Sequence, residues 1–142
     1  MGHTAPAQGM TGISYTDASG LDPATTSTAA DQVRLGMAAM HVPALAEIAA
    51  LPTAVVPVAG VIRNTNKLLG QDGIAGLKTG STQAAGGCVL VAAWHRTGAH
   101  NTLIVAATFG QPGTAQTILP NALQAGRILV LALDHALGRS GR

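Results

Sequence analysis

The chain predicts an α+β fold in which an antiparallel sheet is flanked by helices that come before and after it in sequence. Three observations carry this. A capped helical segment begins near Thr28. Two apolar runs, 88–95 and 102–109, stand either side of a short glycine-bearing turn and read as a hairpin. A helical pattern from Thr114 to Leu137 closes the chain.

In order along the chain, residues 1–12 are small and polar and are expected to be poorly ordered. Tyr15 to Pro23 is rich in turn residues, with Asp17, Ser19-Gly20 and Asp22-Pro23. Thr28 reads as an N-cap: its hydroxyl can accept from the first turn, and Asp31 suits the positive end of the helix dipole. That helix is expected over 29–40. A second, shorter one follows from Pro43 to about Ala50, since proline is tolerated in a first turn. Thr53 to Val58 favours β structure, whereas 61–69 has no clean period. Gln71 to Gly73 is a turn, and Leu77 to Thr79 a short strand between glycines. Cys88 to His95 is an almost unbroken apolar run, as expected of a strand buried on both faces. Arg96 to His100 contains Gly98 and reads as the hairpin loop, and Thr102 to Phe109 as the return strand. In the last helix Leu119, Leu123, Ile128, Val130 and Leu131 are expected to form the apolar face.

At 142 residues this is one domain or part of one. The 47% apolar content suffices for a core, built mostly from aliphatic residues because aromatics are only 2%. A net charge of +2 comes from few groups, and no basic block interleaved with aromatics occurs, so nucleic acid is not an expected partner. A single cysteine excludes an internal disulfide. The first twenty residues contain no basic segment followed by an apolar run, so no secretory signal is read there. The most apolar window, 43–62, is interrupted by Glu47 and three prolines, and the run 128–133 is too short to cross a bilayer.

The segment Gly76-Leu77-Lys78-Thr79-Gly80-Ser81-Thr82 carries the chemistry. A glycine-bracketed K-T-G is one of three motifs of penicillin-recognising serine enzymes, beside S-x-x-K and S-x-N. The other two do not occur here. Ser14, Ser19, Ser27 and Ser81 are followed three residues later by Asp17, Asp22, Ala30 and Ala84, and Ser140 is too close to the end. The two lysines, Lys67 and Lys78, are preceded at that distance by Asn64 and Ala75. No serine has asparagine two places on. An S-x-x-K on a helix sets hydroxyl and amine about one turn apart, close enough for proton transfer. This sequence contains no such pair.

Other readings of the same residues are weaker. A phosphate-binding G-x-x-x-x-G-K-[ST] loop fails because Leu77 occupies the place of the required glycine. Asn64-Thr65-Asn66 is not a glycosylation signal. Cys88 reads as a small core residue, since no histidine lies at a telling spacing. His95 and His100 are a poor metal pair, and His3, His41 and His135 are scattered, so no metal or other cofactor is expected. Lys78 would otherwise be a solvated lysine before a turn, and the Ser81 side chain a surface hydroxyl.

Four blocks in order resemble one family, the serine-type D-alanyl-D-alanine carboxypeptidases of the penicillin-binding-protein and beta-lactamase-like superfamily. Gly9-Met10 and Tyr15 resemble its G-M-x-x-T-x-F, with Ile13 where threonine is usual. Ser19-Gly20-Leu21-Asp22 and Ser27-Thr28-Ala29-Ala30-Asp31 resemble S-G-L-D and S-T-A-x-D. Asn64 to Leu69 matches N-T-N-[KR]-L-L, and Gly76 to Cys88 matches G-x-K-T-G-x-T-x-x-A-G-x-C without a gap. Ala75 stands where the family usually has aspartate. The resemblance covers about residues 9–110. In the family S-x-x-K and S-x-N precede the G-M block. The chain therefore resembles the C-terminal part only, with the N-terminal strands and nucleophile helix missing. On that division 13–70 is the helical part, 71–110 the K-T-G strand and hairpin, and 111–142 the closing helix.

The resemblance implies acyl transfer on the D-Ala–D-Ala end of peptidoglycan stem peptides, binding of beta-lactams, and an extracytoplasmic place. It implies that Lys78 supplies positive charge near the nucleophile and the substrate carboxylate, that Thr79 donates a hydroxyl hydrogen bond to that carboxylate, and that Gly80 lets the backbone approach. The Ser81 N–H would be one oxyanion donor, worth about 3–4 kcal/mol in a complete site. With no nucleophile and no base, the chain alone is expected to be inactive. The alternative is a non-catalytic remnant that binds cell-wall peptide or a protein through its K-T-G edge. A sheet edge left unpaired along 102–109 predicts self-association.

Overall fold

The computed structural model describes residues 4–97 and 99–140. A one-turn helix, α1, spans Thr4–Ala7. It is followed by α2 (Ala29–Met40) and α3 (Pro43–Ala50), which meet at 103°. A small hairpin of β1 (Thr53–Val56) and β2 (Gly60–Arg63) leads to the main sheet of β3 (Ile74–Thr82), β4 (Gly86–Thr97) and β5 (His100–Gln111). α4 (Ile118–Ser140) closes the chain. The main sheet is antiparallel with order β3-β4-β5, so β3 and β5 are its two edges. Among the described residues no single helix is long and apolar enough to cross a membrane.

The helix starts follow from their cap chemistry. Thr28 is extended (φ −104, ψ 154) and its hydroxyl accepts from the Asp31 N–H at 3.1 Å. The Asp31 side chain does not turn back to the cap. It is buried, where it accepts from the Gly12 N–H at 2.7 Å and pairs with Arg34 at 2.9 Å. The acid thus ties α2 to the segment that follows Met10, a contact across 19 residues.

Strand alternation puts two apolar sets on opposite faces of the sheet. On one face Ile74, Val89, Val91, Ala93, Ile104 and Ala106 pack with Ala122, Leu123 and Val130 of α4 in a single buried cluster. The register sets Val91 beside Ala106 and Ala93 beside Ile104. Gly126 lets α4 come close: a Cβ there would stand 2.8 Å from Val91 Cγ2 and 2.9 Å from Val89 Cγ1. α2 and α3 lie against the other face, where Leu90 and Val105 are half-buried. α4 is tied to the sheet side by Arg127, which donates to Asp72 at 2.6 Å, and by Asp134, which bonds His95 Nδ1.

Several expectations need correction. Within 4–12, part of the segment expected to be poorly ordered, α1 forms, and Ala5 and Met10 are 4% and 3% exposed. Small residues can pack where a polar composition alone suggests none. The part 13–70 is not only helical, since it holds the β1–β2 hairpin. That turn runs through Pro57 and Gly60, the latter at φ +68, but it also sets Val58 at φ +70, a conformation β-branched residues resist. The K-T-G strand runs over Ile74–Thr82, well beyond the three residues expected. The last helix starts at Ile118 because Thr114 and Thr117 first close a turn on each other's side chains. Its buried stripe includes Ala122, Leu123 and Val130, whereas Ile128 and Leu131 are exposed. Gly98, the centre of the expected hairpin loop, lies outside the described residues.

Candidate substrate-binding site

Lys78, Thr79, Gly80 and Ser81 lie on β3, paired on one side with Leu90, Val89, Cys88 and Gly87 of β4. The opposite side of β3 has no strand neighbour among the described residues. An edge of this kind presents backbone N–H and C=O groups to which an extended peptide can add. The β3–β4 register shifts between Ile74 and Gly76, so Ala75 sits at an irregularity of the pairing.

The block Asn64-Thr65-Asn66 braces this edge. Asn64 donates from Nδ2 to the Ala49 and Leu51 carbonyls at the end of α3, at 3.2 and 3.0 Å. Its Oδ1 accepts from the Asn66 N–H at 2.9 Å. Asn66 is buried; it donates to the Gly76 carbonyl at 3.3 Å and accepts from the Leu68 N–H at 3.1 Å. Thr65, between them, sets its Oγ1 2.5 Å from Thr79 Oγ1. Within the N-T-N-[KR]-L-L match Thr65 carries no separate role of its own. Alternating asparagines, each able to bond its own backbone two residues on, were the available signal.

Side chains at the K-T-G divide in character. Lys78 is exposed, and its ammonium folds back onto the Thr79 carbonyl. Thr79 is half-buried, and Gly80 and Ser81 are exposed. Beyond Gly80 the strand forms one wall of a cavity of about 300 Å³. The facing wall is the loop carrying Gly20, Leu21, Asp22 and Pro23, so the S-G-L-D segment comes opposite the end of the K-T-G strand. That loop is held by Asp17, which accepts from the Ser19 hydroxyl and from the Ser19 and Gly20 N–H groups at 3.2 Å. The Ser19 hydrogen bond holds the Asp17 carboxyl below its ordinary value, and the backbone donors act in the same direction. Gly86 turns β3 into β4 at φ +68, and a Cβ there would stand 3.0 Å from the Gly110 backbone.

Cys88 is half-buried in the cavity wall, with Sγ 3.5 Å from the Ala85 carbonyl, and so is less of a core residue than the apolar run predicted. No group of three His, Cys, Asp or Glu side chains assembles among the described residues. A second, more apolar cavity of about 370 Å³ opens on the same side as Lys78, between α2, α3 and β3, with Leu35, Leu45, Ile48 and Leu77 in its walls.

The profile of the D-alanyl-D-alanine carboxypeptidase family matches residues 1–111. Solved structures agree. A D-alanyl-D-alanine carboxypeptidase from Mycobacterium tuberculosis is 31% identical with a TM-score of 0.71, over 90% of this chain and 50% of that one. A penicillin-binding protein from Listeria monocytogenes, in its cefotaxime-bound form, is 28% identical with a TM-score of 0.66, over 88% and 52%. A Streptomyces DD-transpeptidase mutant, at 23% identity and TM-score 0.74 over 95% and 52%, shares the fold. The chain spans about half the length of these structures. No curated protein matches it.

Proposed function

The chain belongs to the D-alanyl-D-alanine carboxypeptidase family, and we propose that it forms the K-T-G side of a serine-type carboxypeptidase site for peptidoglycan stem peptides. The observation that carries this is the K-T-G on a sheet edge with no strand neighbour among the described residues, and the Gly20–Pro23 loop walling a cavity at its end. A peptide ending in D-Ala–D-Ala would add along β3. Its terminal carboxylate would meet the Thr79 hydroxyl and the Lys78 ammonium, which must leave the Thr79 carbonyl to reach it. The Ser81 N–H would face the scissile carbonyl oxygen.

In the complete reaction a serine oxygen forms an ester with the penultimate D-Ala carbonyl carbon. The amide C–N bond breaks, and the leaving D-Ala amine takes a proton. Water then hydrolyses the ester. This sequence holds no S-x-x-K to supply the serine and the lysine base. The side chains it contributes therefore bind and orient, and none of them is assigned the bond-making step. Beta-lactams, which present the same carboxylate and carbonyl, would occupy the same edge. The Listeria relative is seen with cefotaxime. A place at the cell envelope, where stem peptides occur, goes with this reading.

Intact mass after incubation with excess penicillin is the direct test. No mass gain is expected. A stoichiometric adduct would mean that one of the five serines or Cys88 is reactive, and would overturn the assignment of a binding role alone. In parallel, a peptide ending in D-Ala–D-Ala should shift the Gly80 and Ser81 amide resonances. Unchanged resonances at saturating peptide would remove the substrate assignment.

A further inference from the structure

We propose that Thr65 is a positioning residue for the carboxylate-binding hydroxyl of Thr79. The proposal rests on the reading of β3 as the substrate edge and names a residue that this reading did not need. A threonine hydroxyl has one proton and two lone pairs. Thr79 can give its proton to a carboxylate only while it is not giving it elsewhere. The Thr65 and Thr79 oxygens are within hydrogen-bond reach, and either can be the donor. When a carboxylate takes the Thr79 proton, the Thr65–Thr79 bond is kept in one arrangement: Thr65 donates to Thr79, and Thr79 donates to the carboxylate. Each bond in such a chain polarises the next.

Thr65 is held well enough for this role. Its two neighbours are fixed by the Asn64 bonds to Ala49 and Leu51 and by the Asn66 bond to Gly76. The last of these reaches the same strand three residues before Thr79, so the Thr65 segment is tied to the strand that carries Thr79. Thr65 itself is exposed, and its side chain can be changed without opening the core.

Thr65→Val keeps the shape and removes the hydroxyl; Thr65→Ser keeps the hydroxyl and removes the methyl. The affinity of each form would be measured by resonance titration with a peptide ending in D-Ala–D-Ala and with the same peptide as its C-terminal amide. The unmodified chain is expected to prefer the free acid. Thr65→Val should weaken acid binding about 5- to 10-fold, as expected for losing one hydrogen bond in a chain ending on a charge, and leave amide binding unchanged. Thr65→Ser should restore the acid preference. A purely structural role would weaken acid and amide together. Acid preference retained in Thr65→Val overturns the proposal alone. No acid preference in the unmodified chain overturns the substrate reading first, and the proposal with it. Should Thr65→Val disturb the fold, three-bond couplings across the Thr79 side chain in Thr65→Ser and the unmodified chain provide the second readout. Both should show one fixed rotamer, and averaging over rotamers in the unmodified chain overturns the proposal.

Discussion

The two faces of the β3-β4-β5 sheet are built from the same strands but are covered very differently. Under α4, the side chains of Val89, Val91 and Ala93 are at most 2% exposed, and Gly126 removes the last gap between helix and sheet. Under α2 and α3, Leu90 and Val105 are only half-buried, and a cavity of about 370 Å³ remains open beside Lys78. One face is a packed interior; the other is a partly covered apolar surface that borders the candidate site. The difference separates what stabilises the sheet from what the sheet presents. Side chains on the α4 face are committed to packing, while those near Lys78 and Leu77 still have room for another group.

The largest test of this contrast is a pair of truncations. Ile74→Ala removes a side chain that is 2% exposed in the α4 cluster and is expected to cost about 2–5 kcal/mol. Leu90→Ala, on the open face, should cost about 1 kcal/mol, because part of the side chain already meets solvent and the cavity beside it already exists. Urea unfolding midpoints would measure both, and equal losses would mean that the two faces are equally packed.

A somewhat smaller effect is expected for Gly126→Ala. The added Cβ meets two β-branched side chains that cannot swing away, so about 1–3 kcal/mol of overpacking should outweigh the roughly 1 kcal/mol gained in helix propensity. Thermal melting of this variant should show a lower midpoint; a higher one would mean that α4 rides further from the sheet than described.

Next comes association. Ile48 is 64% exposed and Leu45 50% exposed at the open cavity, and both edges of the sheet lack strand neighbours among the described residues. Ile48→Lys should reduce concentration-dependent self-association in sedimentation velocity, without lowering the unfolding midpoint by more than a few tenths of a kcal/mol. A sharp, monomeric boundary for the unmodified chain would contradict the expectation of an adhesive surface here.

The smallest effect concerns the loop wall rather than the sheet. Asp17 has its folded-state pKa lowered, chiefly by the Ser19 hydroxyl. The sign follows from this: the loop contribution is present above the ordinary carboxyl value of 3.8 and is lost as pH falls through the lower folded value. Amide resonances of Ser19 and Gly20 should therefore hold steady from neutral pH to about pH 4 and move only below it, with those of β4 unchanged. Movement at pH 5–6 would mean that Asp17 does not hold the loop.

Much of this was legible in the residues. α2 and α3 lie within the expected bounds because Thr28 and Pro43 are local signals that act within one turn. The β4–β5 hairpin was visible because both strands are apolar and the turn residues fall between them. Lys78 to Ser81, singled out by the motif as candidates, fall on one edge strand, as the short strand expected there implies. Which residues face whom was less legible. Ile128 and Leu131 look as apolar as Val130, yet only Val130 reaches the sheet, because the helix's rotation on β4 and β5 is set by where Gly126 permits close approach. Asp31 looked like a capping acid, but its partner is Gly12, a contact that exists only once α2 and the loop are docked.

The bounds of α2 and α3, the existence of a strand at the K-T-G, and the absence of S-x-x-K among these 142 residues were determined by the sequence alone, since each depends on spacings along the chain. Only tertiary structure decided that the K-T-G strand has no strand neighbour on its outer side among the described residues, that Gly20–Pro23 stands opposite its end, and that Thr65 reaches Thr79. These are contacts between segments far apart in sequence, fixed by which faces bury apolar area and which buried polar groups must find partners, and no local pattern carries that information.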